Sequence, residues 1–363
     1  MIDKSSVTMH PLNEYLEEYK ELNTDNEFRP VAVGRYGIRT RESIYSKELA
    51  KDYSKNKLIH KGTLTVGMGS VQMDIGILSD DETYSVSPAY HTYKINGIDY
   101  DYLRYCLQCR NMDMFTRFMK RGSRQGKSID LKRWIGYEIP VYPYVEQIEI
   151  VENLEHVENI IQSRKDELTQ LDNLIKARFV EMFGNPIYNS NHLPIKSLND
   201  LGDWASGGTP SRTVPEYFEG NINWYSAGEL NTLFLEGSVE KITEEAIEKS
   251  AAKLFKAGSM LVGMYDTAAF KMGILKENSA SNQACACITP NDEVNIIWLY
   301  YELQLMKEHF LSQRRGVRQK NLNLGMIKGF ELPVANRDQQ REFVDFVQQV
   351  DKSKFVGWKN AGS

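Results

Sequence analysis

The sequence predicts an α+β chain: two tandem globular units separated by long, coiled-coil-type helices, the second of them shortened. Three observations predict this. Short motifs recur in the same order at near-constant spacing. One long stretch carries an apolar stripe at steps of three and four. The remainder reads as short alternating segments punctuated by Gly, Asn and Ser. At 363 residues, with 41% hydrophobic and 26% charged residues, the chain has the length of two domains and is too apolar for disorder.

The repeat is read from paired segments. Arg121-Gly122-Ser123-Arg124-Gln125 matches Arg315-Gly316-Val317-Arg318-Gln319, and Leu131, Gly136 and Ile139-Pro140 match Leu324, Gly329 and Leu332-Pro333. Glu146-Gln147 falls opposite Gln339-Gln340. Upstream, Val66-Gly67-Met68 repeats as Val262-Gly263-Met264, and Gly76-Ile77-Leu78 as Gly273-Ile274-Leu275. Any one match could be chance; their shared order points to a tandem duplication.

In chain order, the first unit takes residues 1–143. Strands are expected at Thr63–Met68 and Tyr84–Tyr93, then a short helix over about Asp99 to Lys120 that ends in a basic loop. A long helix follows Pro143 and fills 144–186. Its seam is Leu154, Val157, Ile161, Leu168, Leu171 and Ile175, on a helix of roughly 39 residues, on the order of 58 Å long. Such a stripe demands a partner helix. The second unit takes 187–336, with its short helix over about Ile296 to Gln313 and its own basic loop. The final helix, 337–363, begins well with Phe343, Val347 and Val350 but stops roughly a dozen residues short of its counterpart.

Charge is segregated. The net charge is −5, yet residues 145–183 alone account for it, through acids such as Glu146, Glu149, Glu152, Glu155 and Glu158. Residues 111–133 and 307–320 are strongly basic. Local field, not the total, decides where a polyanion docks.

Several chemistries are excluded. Gly122 to Ser128 (GSRQGKS) is one residue short of a P-loop and follows a helix. Cys106 and Cys109 form C-x-x-C inside the expected short helix, and Cys285 and Cys287 only C-x-C, so buried thiols are expected rather than zinc. The histidines show no metal-ligand spacing, so no metal site is expected. Asn185-Pro186 lacks the second proline and the aromatic of an adenine methyltransferase motif. No apolar run reaches a membrane span, and no secretory segment opens the chain, so a cytoplasmic location is expected.

Ser206-Gly207-Gly208-Thr209-Pro210-Ser211-Arg212, followed by Tyr217-Phe218 and Gly220-Asn221-Ile222-Asn223-Trp224, resembles the opening of a target recognition domain. The family is the specificity (S) subunit of type I restriction–modification systems. Arg178-Phe179-Val180-Glu181-Met182-Phe183-Gly184-Asn185-Pro186 resembles that family's central conserved region. The first unit has no obvious counterpart of Gly207 to Pro210 and opens instead with Leu12-Asn13-Glu14-Tyr15-Leu16. The resemblance implies a non-catalytic subunit whose two domains each read one half of a bipartite, asymmetric DNA target. It implies helices that set the spacing and dock two methyltransferase (modification) subunits, with restriction/translocase subunits as further partners. S-adenosylmethionine and ATP would be bound by those partners and no cofactor by this chain. Self-association through the helices is left open. The competing reading is a DNA methyltransferase or restriction enzyme with recognition and catalysis in one chain.

Within each unit the basic loop is the first DNA-contact candidate. Arg121, Arg124 and Lys127, with Arg315, Arg318 and Lys320, can neutralise phosphates. Gln125 and Gln319 can pair with an adenine edge, and arginine with guanine. Ser211, Arg212, Tyr225 and Ser226 are placed second by the resemblance, beside Trp224. Arg35, Tyr36, Arg39 and Arg41 form a basic-aromatic cluster in the first unit.

Overall fold

The computed structural model describes residues 7–34, 37–40, 52–122, 126–313 and 321–360. The chain divides into two compact units, 1–162 and 163–363.

In the first unit the elements run β1 (Thr8–Pro11), β2 (Leu16–Tyr19), β3 (Val31–Gly34), β4 (Gly37–Thr40), β5 (Lys57–Ile59), β6 (Thr63–Met68), β7 (Met73–Ile77), β8 (Tyr84–Val86) and β9 (His91–Ile95). Then come α1 (Tyr100–Cys109), α2 (Asn111–Phe118), β10 (Met119–Gly122), β11 (Gly126–Ile129), α3 (Leu131–Trp134), β12 (Glu138–Val141) and the long α4 (Tyr144–Phe183), whose residues from Ser163 onward belong to the second unit. The second unit continues with β13 (Ile195–Ser197), β14 (Gly202–Ser206), β15 (Ile222–Tyr225), β16 (Phe234–Leu235), β17 (Glu240–Ile242), α5 (Glu244–Glu248), β18 (Met260–Gly263) and β19 (Met272–Leu275). It closes with β20 (Ala280–Ser281), β21 (Cys285–Pro290), α6 (Ile296–Ser312), α7 (Leu324–Lys328), β22 (Glu331–Pro333) and α8 (Arg337–Asn360).

The duplication is visible in strand register. The first unit has a sheet in the order β2-β9-β6-β7, and the second has β14-β21-β18-β19 with β16 added at the edge. Thr65 faces Gly76 and Thr92 in the first; Leu261 faces Gly273 and Cys287 in the second. Leu16 faces Ile95 as Gly202 faces Pro290. A one-residue slip would turn every apolar side chain to the wrong face, so a shared register is strong evidence of one ancestral unit. The equivalence extends to the unit's opening: Leu12 N–H donates to Tyr137 O, and Leu198 N–H to Phe330 O.

Sequence expectation and structure part at several places in the fold. The helix expected over Asp99 to Lys120 is two helices, broken at Arg110, whose backbone leaves the helical region. The break lets Asn111, buried at the start of α2, exchange two hydrogen bonds with the backbone of Met73. The strand expected over Tyr84–Tyr93 is β8 and β9, separated by a turn in which Tyr90 N–H donates to Ser87 O. Cys109, expected buried, is exposed; Cys106 is half-buried, and Cys285 and Cys287 are buried with burial pushing both thiols up.

α4 is 40 residues long. Its first turns belong to the first unit's core, where Val151 is buried and Ile150 packs beside it. Leu154, Val157 and Ile161, on the stripe expected to demand a partner helix, are exposed in this chain, Val157 to 51%. Burial is complete only near the C-terminus. There Ile175, Phe179 and Phe183 join Trp298 and Phe343 in the second unit's core, with Phe179 and Phe343 edge to face at 5.0 Å. Arg178 Nη2 reaches Glu342 Oε1 on α8 at 3.0 Å. Val347 and Val350 of α8 are also buried in that core. The helix stops because Gly184 takes a left-handed conformation (φ 80°) while its N–H caps Val180 O.

One residue roots each connecting helix. Gln147, 2% exposed, accepts from Asp99 N–H at 2.9 Å and donates to Tyr142 O at 2.8 Å. Gln340, fully buried, accepts from Asn295 N–H at 2.7 Å and donates to Ala335 O at 2.8 Å and Glu293 O at 3.2 Å. Asp99 and Asn295 are the N-caps of α1 and α6. The same side chain thus ties the first turn of each connecting helix to the cap of the helix beside it. Gln340→Ala leaves buried donors and acceptors unpaired, and should lower the stability of the full chain by about 2–4 kcal/mol in chemical denaturation. A loss below about 1 kcal/mol would contradict this role.

Glu302 on α6 is buried beside the aromatic cluster, and its Oε1 has no partner among the described residues. Burial pushes its carboxyl well above the usual range. The folded state therefore keeps the proton that the unfolded chain loses, and stability falls as pH rises above the ordinary carboxyl value. Glu302→Gln should flatten the stability profile between about pH 5 and 8 and raise stability at the upper end. An unchanged profile would contradict the assignment.

Candidate nucleic-acid interface

In the first unit the basic stretch is a two-stranded ribbon, not a loop. β10 and β11 pair antiparallel, with Arg121 opposite Lys127 and Gly122 opposite Gly126. Its root is fixed by Asp130, which accepts from Arg133 N–H at the start of α3 and holds Lys120 Nζ at 2.7 Å. The Lys120 ammonium beside Asp130 holds its carboxyl below the usual carboxylate range. Lys120 is thereby neutralised, while Lys127 is exposed one register step from it. Two cations opposed across a ribbon repel, unless an anion is placed against them. Arg124 and Gln125 lie outside the described residues.

The second basic stretch, with Arg315, Arg318, Gln319 and Lys320, also lies outside the described residues. Its borders are described: α6 ends at Ser312, and the chain re-enters at Asn321 and Leu322. Asn321 Oδ1 accepts from Asp266 N–H at 3.0 Å, and Leu322 N–H donates to Met264 O at 2.8 Å. Asn323 then caps α7 as Asp130 caps α3.

The glycine-rich opening of the second unit is built for close approach. A Cβ on Gly207 would lie 2.3 Å from Asn282 O, and one on Gly208 2.0 Å from Ala251 O. Trp224 Nε1 donates to Gly208 O at 3.0 Å, so the buried aromatic fastens the motif. Ser211 is exposed beyond it, its hydroxyl 2.7 Å from that of Thr213.

Three of the second-tier residues have structural work. Arg212 is clamped by both carboxylate oxygens of Glu240, one at 2.7 Å, and lies over the Phe218 ring at 4.2 Å. Its charge is neutralised within the fold. Ser226 caps the short turn 227–229, donating to Glu229 Oε2 at 2.6 Å. Tyr225 needs correction outright: it is 1% exposed, packed among Leu230, Leu261 and Cys287, and has no surface to offer DNA. Burial pushes its hydroxyl up to about 12. In the first unit Arg39 is exposed on β4, whereas Arg35, Tyr36 and Arg41 lie outside the described residues.

The profile of the family described as Type I restriction modification DNA specificity domain matches residues 16–173 and again 194–356. The chain belongs to that family. The double match of the specificity domain coincides with the two sets of strands in common register. Relatives of the domain include the Type I restriction enzyme EcoR124I/EcoR124II specificity subunit of Escherichia coli, 25% identical over 162 residues, 43% of this chain and 40% of that one. The MjaIX specificity subunit of Methanocaldococcus jannaschii is likewise 25% identical over 162 residues, 37% of its length. The matched stretch thus spans less than half of either relative. Two solved structures share the fold over 99% of this chain. The S subunit of a type I restriction–modification system from M. genitalium has a TM-score of 0.54, 13% identity and 93% of its own chain covered. A structure reported for complex assembly and conformational transition of the type I R-M system has a TM-score of 0.56, 15% identity and 94% covered.

What sequence reasoning missed in the specificity domains is the equivalence of Leu12 and Leu198, each at the opening of its own unit, and the hairpin turns β6–β7 and β18–β19. The first could have been found from Leu12-Asn13-Glu14 beside Leu198-Asn199-Asp200. The Tyr225 hydroxyl has no partner in hydrogen-bonding geometry among the described residues. Tyr225→Phe should therefore leave thermal stability unchanged or raise it by up to about 1 kcal/mol. DNA affinity should stay within about twofold. A large loss of affinity in a folded variant would restore Tyr225 to the interface.

Proposed function

We propose that this chain is the non-catalytic DNA sequence-specificity subunit of a type I restriction–modification complex. Each unit reads one half of a bipartite, asymmetric double-stranded target, and the helices set the gap between half-sites. The observation that carries the reading is the pair of heads built on one register but carrying different surfaces. Two unlike heads in one chain call for two unlike half-sites, whereas a symmetric homodimer would mirror its two-fold axis in the site.

Phosphate contacts are assigned to Arg121, Arg124 and Lys127 in the first head and to Arg315, Arg318 and Lys320 in the second. Gln125 and Gln319 are assigned to adenine edges, with Arg35, Arg39 and Ser211 as further contacts. Two methyltransferase subunits dock on the helices. The exposed apolar side chains of α4 (Leu154, Val157, Ile160 and Ile161) support that role, since water-facing apolar residues on a helix mark a surface that associates. S-adenosylmethionine and ATP belong to the modification and restriction partners in this reading, and the complex works in the cytoplasm. Among the described residues no helix is long and apolar enough to cross a membrane.

Sequencing the methylated adenines left by the assembled complex tests the reading. The expected result is one adenine on each side of a fixed gap, in two unrelated half-sites; methylation without a bipartite motif would overturn it. Lys127→Ala should weaken binding to all duplexes alike and reduce the slope of log affinity against log salt by about 1. An unchanged slope would remove Lys127 from the interface.

A further inference from the structure

The two basic stretches are nearly the same sequence, Arg-Gly-x-Arg-Gln in both halves. An element that is alike in both heads cannot by itself distinguish two unlike half-sites. Specificity must come from a neighbouring surface that is placed alike and differs in its side chains. One element meets both conditions: the hairpin turn between β6 and β7, and its counterpart between β18 and β19.

The placement is alike. The two hairpins share one register. In the first head β6 runs beside β11 of the basic ribbon, with Met68 and Ile129 packed on the same core. In the second, the turn is fastened to the residues that directly follow the basic stretch, through Asn321 to Asp266 and Leu322 to Met264. An asparagine side chain holds the turn in each case: Asn111 at Met73, Asn321 at Asp266.

The side chains differ. The first turn presents Ser70 and Val71, the latter 58% exposed, with Gln72 half-buried. The second presents Tyr265, 40% exposed, with Asp266 and Thr267. Asp266 and Phe270 both have left-handed backbones (φ 50° and 58°). Such conformations cost free energy and persist only where the surroundings impose them. Here the surroundings are the Asn321 bond and the burial of Phe270 against Phe310 and Phe330. The result is a stiff platform that presents three polar side chains outward.

We propose that the turns Ser70–Gln72 and Tyr265–Thr267 are the base-reading elements of the two heads. This rests on the DNA-specificity reading and adds to it the side chains that choose the sequence. Val71 offers a methyl surface suited to thymine, and Gln72 an amide suited to adenine. Asp266 is acceptor-only, suited to the exocyclic amine of cytosine, and Tyr265 and Thr267 add hydroxyls.

The test is selection of bound sequences from a randomised duplex library by the full chain, wild type against Asp266→Asn. Asparagine tolerates the left-handed backbone, so the turn is kept while a carboxylate becomes an amide. The expected result is a changed base preference at one position of one half-site, with about a tenfold loss on the wild-type sequence. The other half-site and the salt slope should not move. Identical selected sequences would overturn the proposal, as would an equal gain of affinity on every duplex, which would place Asp266 against phosphates. Should Asp266→Asn fail to fold, Thr267→Val carries the same comparison. Wild-type protein that enriches no sequence would overturn the DNA reading itself.

Discussion

The buried glutamine at the root of each connecting helix is the constraint on which the architecture depends. Gln147 and Gln340 each satisfy a backbone N–H at the cap of one helix and a backbone carbonyl at the entry to another. Out of water, those groups have no alternative partner, so swivelling a helix on its head would break two or more hydrogen bonds at once. A flexible joint would let the helix wander and would erase any fixed geometry between a head and the helix it carries. The two glutamines occupy equivalent places in the repeat, which dates the joint to the ancestral unit.

Charge then sorts the surfaces. The connecting helix is rich in glutamates and aspartates, while residues 111–133 and 307–320 are rich in lysine and arginine. Under the proposed reading, this segregation would repel a polyanion from the acidic helix and favour the basic segments. The exposed apolar residues of α4 lie on the acidic element, which suits protein partners better than nucleic acid. Near its C-terminus the same helix changes character, and Phe179 and Phe183 lock it into the second unit's core against Trp298 and Phe343.

Much of this was legible in the sequence, for identifiable reasons. The duplication could be read because glycines, turn residues and buried positions recur where backbone geometry demands them, as at Gly67 and Gly263 or Leu131 and Leu324. The long helix could be read because its period is sustained over many turns. The helix break at Arg110 could not, because Asn111 is used for a tertiary contact to Met73 that no local pattern announces. Tyr225 misled because an aromatic beside polar residues reads equally as a contact or as core, and only the packing decides. The stripe at Leu154, Val157 and Ile161 was legible as an apolar face, and it is exposed in this chain. Period alone marks an apolar face but not whether this chain supplies its cover. The ribbon at Arg121 and Lys127 escaped notice because its strands are four residues each and mostly charged.

The proposed bipartite reading requires one gap between its two half-sites. The direct measurement is affinity of the complete chain for duplexes carrying both selected half-sites at every gap up to about two turns of DNA. It predicts one preferred gap, with about a tenfold fall when a single base pair is added or removed. Equal affinity across all gaps would show two heads binding independently and would contradict it.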